Sequence, residues 1–285
     1  MAIAQPTQRL SSTRWPSRRA WLLFAAQAVI VVMADAFNDV FRGNIQPPNA
    51  VEAVHHARQV ASFEAAHGFF VEPALQTFFR HIRSLLGIPL SWTDVVQFAN
   101  SVYGFCHIFV TLLVAVWIFA RHRDRFPFVR NVMLITNALA FVAYEVYPVA
   151  PPRLTSGLIF NHHVFRFQDT MQHIIGSGKL NGVPIGYNAY SAMPSVHAAW
   201  ALIIGLSVVW LARNPLLRVL GALYPGIMVF TIVVTGNHYL LDAIGGALAV
   251  AVAVLIAVGI ERVRRKSSSH GKRRPRTSWR AARSA

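Results

Sequence analysis

Charged residues are scarce in this sequence, and acidic ones are the scarcest. Only 13% of the 285 residues are charged, 11 of them Asp or Glu, while 54% are apolar. A soluble domain of this length needs more charge to cover its surface, so an integral membrane protein is the default expectation. The single cysteine, Cys106, excludes an internal disulfide and is expected to be a small core side chain.

The basic residues, in contrast, are abundant and concentrated. The net charge is +16, and ten of the 27 Lys and Arg residues follow Glu261. This tail lacks apolar periodicity and is predicted to be disordered. Such a run suits either nucleic acid or anionic lipid, and we favour a cytoplasmic anchor beside lipid. Nucleic acid is therefore not an expected partner.

Apolar stretches of about 20 residues, the length that a bilayer requires, recur along the chain. They predict an all-α integral membrane fold, a bundle of six transmembrane helices. The predicted spans are 20–37, 95–120, 128–148, 195–212, 216–235 and 239–260. The predicted domains are a basic cytoplasmic N-terminus (1–19), a first span with an amphipathic outer loop (20–94), the membrane core (95–260) and the basic cytoplasmic tail (261–285).

The first span has two interpretations. Its basic lead and apolar run also resemble a cleavable signal peptide, but we favour an uncleaved anchor. Residues 50–70 space their apolar side chains with helical periodicity and predict an amphipathic surface helix. In the sixth span, Gly245 and Gly246 are expected to allow close approach of a neighbouring helix.

The distribution of basic residues predicts the orientation. With the N-terminus in the cytoplasm, 20 of the 27 basic residues lie on inner segments and seven in outer loops. The expected location is the plasma (inner) membrane, with both termini cytoplasmic. Three polar stretches, around residues 150–154, 191–200 and 236–242, then fall on the outer face at similar depth. We expect them to form one active site.

His238 and Asp242 are the first candidates. At i and i+4 they share a helix face, where the carboxylate can accept a ring proton and leave the other nitrogen as a nucleophile. A structural His–Asp hydrogen bond between helices is the alternative. An Asp inside a span is costly, and such residues usually have a paired or functional role.

Two further stretches supply groups suited to phosphate. Pro194 is expected in the first turn of the fourth span, with the Ser195 hydroxyl and free N–H groups facing a phosphate, and His197 acting as general acid. Arg153 follows two prolines and suits bidentate phosphate contact. The alternatives are an ordinary Ser cap, an interfacial His and a snorkelling Arg.

In its order of Arg153, then Pro-Ser-x-His, then His-x-x-x-Asp, the chain resembles the type 2 phosphatidic acid phosphatase superfamily. The resemblance implies a six-helix membrane core acting on lipid phosphates through a phosphohistidine, with no metal and no cofactor. It implies His238 as nucleophile, Asp242 as its orienting partner and His197 as the acid. Ser195 and Arg153 would hold the phosphate.

The chain also departs from the broad family pattern. Val196 stands where the family usually has Gly, and Val146 and Ile232 stand where it usually has phosphate-holding cations. The pattern is more similar to the branch with inositol-phosphorylceramide and sphingomyelin synthases, which transfer a phospho-head group to an alcohol. The prediction is therefore a lipid-phosphate phosphatase or phosphotransferase. The group transferred could be an inositol-phosphate-type head group.

Two other functions stay open. One is a serine hydrolase using Ser195, although no G-x-S-x-G turn supports it. The other is a lipid-phosphate binding or transport protein without catalysis. Three further residues, possible acceptor-binding or supporting side chains on the outer side, are Glu145, Asp39 and Arg42. The expected partners are a lipid phosphate substrate and membrane lipids; no metal site is predicted.

Overall fold

The computed structural model describes residues 15–45, 50–157, 159–160, 163–164, 167–168, 170, 179–180, 183–184 and 190–271, with the backbone alone at 35–45, 159–160, 163–164, 179–180, 183–184 and 267–271. The α-helices are α1 (Arg18–Ile45), α2 (Ala50–Ala66), α3 (Glu72–Arg80), α4 (Ile82–Leu86), α5 (Trp92–Ser101), α6 (His107–Arg121), α7 (Phe126–Val146), α8 (Val196–Leu211), α9 (Pro215–Val234) and α10 (Leu240–Gly271). The predicted helical class is thus confirmed.

Short irregular elements complete the fold. A π-helical turn, Val102–Cys106, joins α5 to α6, and a 3₁₀ turn, Pro152–Leu154, follows α7. Between residues 158 and 185 the chain forms two antiparallel pairs of two-residue strands, β1 (Ile159–Phe160) with β2 (His163–Val164) and β3 (Lys179–Leu180) with β4 (Val183–Pro184). These pairs are too short to form a β layer.

Four of the predicted spans are confirmed as helices long and apolar enough to cross a membrane. Within the described residues they are Trp92–Arg121, Phe126–Val146, Pro215–Val234 and Leu240–Lys266. The predicted span at 195–212 is a shorter apolar helix, Val196–Leu211. It ends early because Ala212 is extended and Asn214 caps the next helix by accepting the N–H of Leu216 at 2.8 Å.

Helix α1 packs against the core. Phe24 and Val31 are buried among residues of α6 and α7, and the Phe24 ring lies 4.7 Å from that of Phe119. Arg130 donates to the side chain of Gln27 on α1. Helix α1 thus packs as part of the bundle, and the uncleaved anchor stays a prediction.

Glycines set the closest helix contacts. A Cβ at Gly205 would lie 2.4 Å from the Gly221 carbonyl oxygen, so α8 and α9 pack backbone to backbone. A Cβ at Gly246 would lie 2.5 Å from the Ser195 carbonyl oxygen. The close approach predicted at this glycine of the sixth span is therefore confirmed, and its neighbour is the start of α8.

Helix α5 begins at a capping box and ends in the π turn. The Ser91 side chain accepts the N–H of Asp94, and the Ser91 N–H donates to the Asp94 carboxylate. The turn places Tyr103 against α8, whereas Cys106 is exposed. The expectation of a core cysteine is thus wrong, because the wider π turn rotates this position outward.

Helix α2 confirms the predicted helix but not its surface position. Its small residues Ala53, Ala57 and Ala61 are fully buried and pack against the segments that follow α7 and precede α8. The N–H of Ala150 bonds the Ala53 carbonyl at 3.0 Å. The apolar face of α2 therefore packs against protein rather than against lipid headgroups. The predicted domain boundary between residues 94 and 95 stays a prediction.

The two ends of the bundle differ in chemistry. At one end the Arg153 N–H bonds the Gly236 carbonyl at 2.9 Å, and the Ser195 N–H bonds the Asp242 carbonyl at 2.9 Å. The three polar stretches that the sequence singled out therefore meet. At the other end Arg121 lies over the Trp15 ring and Arg125 over the Trp210 ring, at 6.0 and 5.0 Å.

Candidate active site

His238 lies in the segment between α9 and α10 and is 5% exposed. Its Nδ1 lies 2.8 Å from the Ala192 carbonyl oxygen. Since a carbonyl oxygen only accepts, Nδ1 carries the ring proton and Nε2 is left with its lone pair. The N–H groups of Asn237 and His238 both bond the Ile232 carbonyl, at 3.0 and 3.1 Å, which holds the backbone beneath the ring.

Asp242 is fully buried in the first turn of α10. Its Oδ2 lies 3.3 Å from His238 Nδ1 and accepts the N–H of Tyr239 at 2.8 Å. The predicted pair therefore exists, but not on one helix face, because His238 precedes the helix. The carboxylate caps α10 and lies beside the Nδ1–H, whose shorter hydrogen bond goes to the Ala192 carbonyl.

Arg153 is held by the segment that carries His238. Its Nε donates to Asn237 Oδ1 at 2.9 Å, and Asn237 Nδ2 donates to the Thr235 hydroxyl at 2.8 Å. A Cβ at Gly236 would lie 3.5 Å from the Arg153 Cβ, and this glycine has a φ of +69°, which favours Gly. The guanidinium is thus oriented by the residue directly before the histidine.

Ser195 is the N-cap of α8 and is fully buried. Its hydroxyl oxygen accepts the N–H of Ala198 at 3.3 Å. Pro194, expected inside the first turn, instead precedes the cap, and its carbonyl accepts the Tyr144 hydroxyl at 2.7 Å. The structure thus gives Ser195 the capping role that the sequence left as an alternative, and its phosphate contact stays a prediction.

His197 lies in the first turn of α8 and faces a set of aromatic rings. It stacks on Tyr103 with ring centroids 4.1 Å apart, and the His107 ring lies 4.6 Å away. The His238 ring is 6.2 Å away. The two histidines are therefore close enough to address one small group from two sides, and the π turn supplies the wall behind His197.

Two glutamates that the sequence analysis missed hold the start of α10. Glu72 Oε1 accepts the N–H of Leu240 at 2.7 Å, and Glu64 Oε1 accepts the N–H of Leu241 at 2.6 Å. Both side chains are fully buried. A signal was available, since Glu64 continues the stripe of buried small residues on α2, where an acid is costly.

Burial, and then the charge of Glu72, raise the pKa of Glu64 from 4.5 to about 9, with Asp242 adding to the rise and the Leu241 N–H opposing it. The folded protein therefore binds the Glu64 proton more tightly than the unfolded chain does, which stabilises the folded state. This stabilisation is complete below pH 4.5 and is lost as the pH rises towards about 9.

We expect the thermal unfolding midpoint of the wild type to fall between pH 6 and pH 9 and that of Glu64→Gln to fall less. If the midpoints of the wild type and of Glu64→Gln fell equally with pH, the raised pKa of Glu64 would be contradicted. Glu52→Gln changes an exposed residue of α2 and should show the same pH dependence as the wild type.

Of the remaining candidates, one is exposed and two have side chains outside the described residues. Glu145 is exposed in the last turn of α7, so its supporting role stays a prediction. The side chains of Asp39 and Arg42 lie outside the described residues. At the two positions where the family usually has cations, Val146 is 74% exposed and Ile232 is fully buried.

The family model of the PAP2 superfamily matches residues 58–256, more than half of the chain. The chain belongs to the PAP2 superfamily, whose members are generally phosphatase-type enzymes. The resemblance drawn from the sequence is confirmed at this level, and with the apolar helices it supports a membrane protein. No curated protein and no solved structure matches the chain.

Proposed function

We propose that the protein is a membrane enzyme that cleaves or transfers a lipid phosphate through a phosphohistidine on His238. The observation that carries this is the Nδ1–H bond to the Ala192 carbonyl, which leaves Nε2 as the ring nitrogen with a lone pair. A fixed tautomer with a lone pair is what a nucleophilic imidazole needs. Family membership supports phosphatase-type activity on lipid phosphates.

The reaction has two balanced steps. In the first, His238 Nε2 attacks phosphorus, the bond to the leaving oxygen breaks, and His197 gives that oxygen its proton. In the second, water or an alcohol attacks the phosphohistidine, the P–N bond breaks, and His197 takes the proton of the attacking hydroxyl. Arg153, oriented by Asn237, offsets the charge on the phosphoryl oxygens.

The site is proposed to face the extracytoplasmic side. The arginines at the far end of the bundle lie among Trp and Phe rings, as residues at a membrane interface do. The proposed six spans are the four long apolar helices together with α1 and α8. With this orientation the three polar stretches would lie outside, and the distribution of basic residues supports it.

Transfer to an alcohol is the proposed alternative to hydrolysis within the same mechanism. The Val196 departure from the family pattern and the similarity to inositol-phosphorylceramide and sphingomyelin synthases support it. The serine hydrolase is disfavoured, because the Ser195 hydroxyl is buried and accepts a helix N–H.

The test is to trap the intermediate. Purified protein is mixed with a lipid phosphate labelled in its phosphoryl group and quenched in alkali. Acid-labile, alkali-stable label on the protein supports the proposal, and its absence in an enzyme that turns over would overturn it. A protein that only binds the lipid phosphate would show neither turnover nor covalent label after the quench, and label released faster with a polyol added than in buffer alone would indicate transfer.

A further inference from the structure

The start of α10 is held by three carboxyl groups, one for each of three successive N–H groups. Asp242 takes the N–H of Tyr239, Glu72 that of the next residue and Glu64 that of the one after. The first N–H groups of a helix have no partner inside the helix, so these bonds define where the helix begins. The three residues whose N–H groups are bonded directly follow His238 in the sequence.

Two of these carboxyls come from far away in the sequence. Glu72 and Glu64 are separated from their partners by 168 and 177 positions, and they belong to α3 and α2. Asp242 satisfies one of the unpaired N–H groups from within α10. The next two are satisfied by side chains of other helices and not by neighbours in sequence, so the position of the α10 start depends on α2 and α3.

The two glutamates are also an expensive choice. Their second oxygens, Oε2 of Glu64 and of Glu72, are buried, and the two carboxyl groups share a hydrogen bond when one of them is protonated. Burial raises the pKa of both groups, so protonation relieves part of the cost. A buried acid adds little net stability, so what these two groups contribute is the position of the backbone that they bond.

We propose that Glu64 and Glu72 are positioning residues for His238, anchoring the backbone at the start of α10 so that the imidazole meets phosphorus in one fixed geometry. Neither side chain touches the phosphoryl group in this role. They act through the backbone of Leu240 and Leu241, two and three residues beyond the histidine. The inference rests on the proposed function of His238.

The decisive comparison is Glu72→Gln against Glu72→Asp. The Gln amide keeps an oxygen at the same reach for the Leu240 N–H, whereas Asp keeps the acid but withdraws it by one methylene. Since misplacement by about 1 Å costs on the order of 100-fold, we expect Asp to lower kcat about 10- to 100-fold with KM changed less than about 2-fold. Gln should lie within about 5-fold of the wild type.

A purely electrostatic role would reverse this order, with Asp above Gln, and would overturn the inference, as would equal kcat values. Glu64→Gln and Glu64→Asp repeat the comparison at a second position, so a folding failure at one site leaves the other to decide. Glu52→Gln and Glu52→Asp are matched controls on α2 and should leave kcat unchanged. If a variant that lacks His238 turns over like the wild type, the proposed function fails. If that variant is inactive while both Asp variants keep the wild-type kcat, the positioning inference alone fails.

Discussion

Replacing His238 by Asn should lower lipid-phosphate turnover by about 1,000-fold or more, because the nucleophile is lost. The Asn amide can still donate to the Ala192 carbonyl, so the variant should insert and purify like the wild type. Ala removes that donor as well and should cost about 1–3 kcal/mol of stability in addition. The measurement is phosphate released or transferred per mole of folded protein.

His56 provides the matched control. Its Nδ1 also lies 2.8 Å from a backbone carbonyl, that of Pro148, and its ring stacks on Tyr147 outside the site. His56→Asn should therefore keep turnover within about 3-fold, since its hydrogen bond is structural. Near-normal turnover of His238→Asn would disprove the phosphohistidine mechanism, whatever the control does.

Gly246→Ala should impair both stability and activity. The added Cβ would lie 2.5 Å from the Ser195 carbonyl oxygen and 3.4 Å from the Ala199 nitrogen, which are backbone atoms that cannot rotate away. Separation of α10 from the start of α8 should cost about 1–3 kcal/mol. It should also lower turnover more than about 10-fold, because His197 lies on α8 and His238 directly precedes α10, so the shift changes the distance between the two rings. Thermal unfolding and turnover in the same preparation measure both effects.

Gly259 provides the control for Gly246. It lies in the same helix, and a Cβ there would meet nothing within 4 Å. Gly259→Ala should therefore be neutral or stabilise by about 0.5–1 kcal/mol through helix propensity alone. If the two glycine variants behave alike, the close contact between α8 and α10 is not what holds the site together.

The confirmed spans and the three polar stretches were predictable from the sequence, because hydropathy and motif spacing are local properties. Arg153, Ser195, His197, His238 and Asp242 were all singled out in this way, and their catalytic roles stay predictions. Although a long loop separates α7 from α8, the charge distribution predicted that these stretches lie on one face. The order of motifs also identified the family.

Tertiary structure alone decided how His238 is held. Its main acceptor is the backbone carbonyl of Ala192, and a backbone carbonyl is the same group in every residue type, so no sequence pattern marks it. Glu64 and Glu72 reach the start of α10 only because α2 and α3 fold back over it. The residue types of the proposed site are thus local features of the sequence, whereas the geometry that fixes them depends on contacts between distant segments.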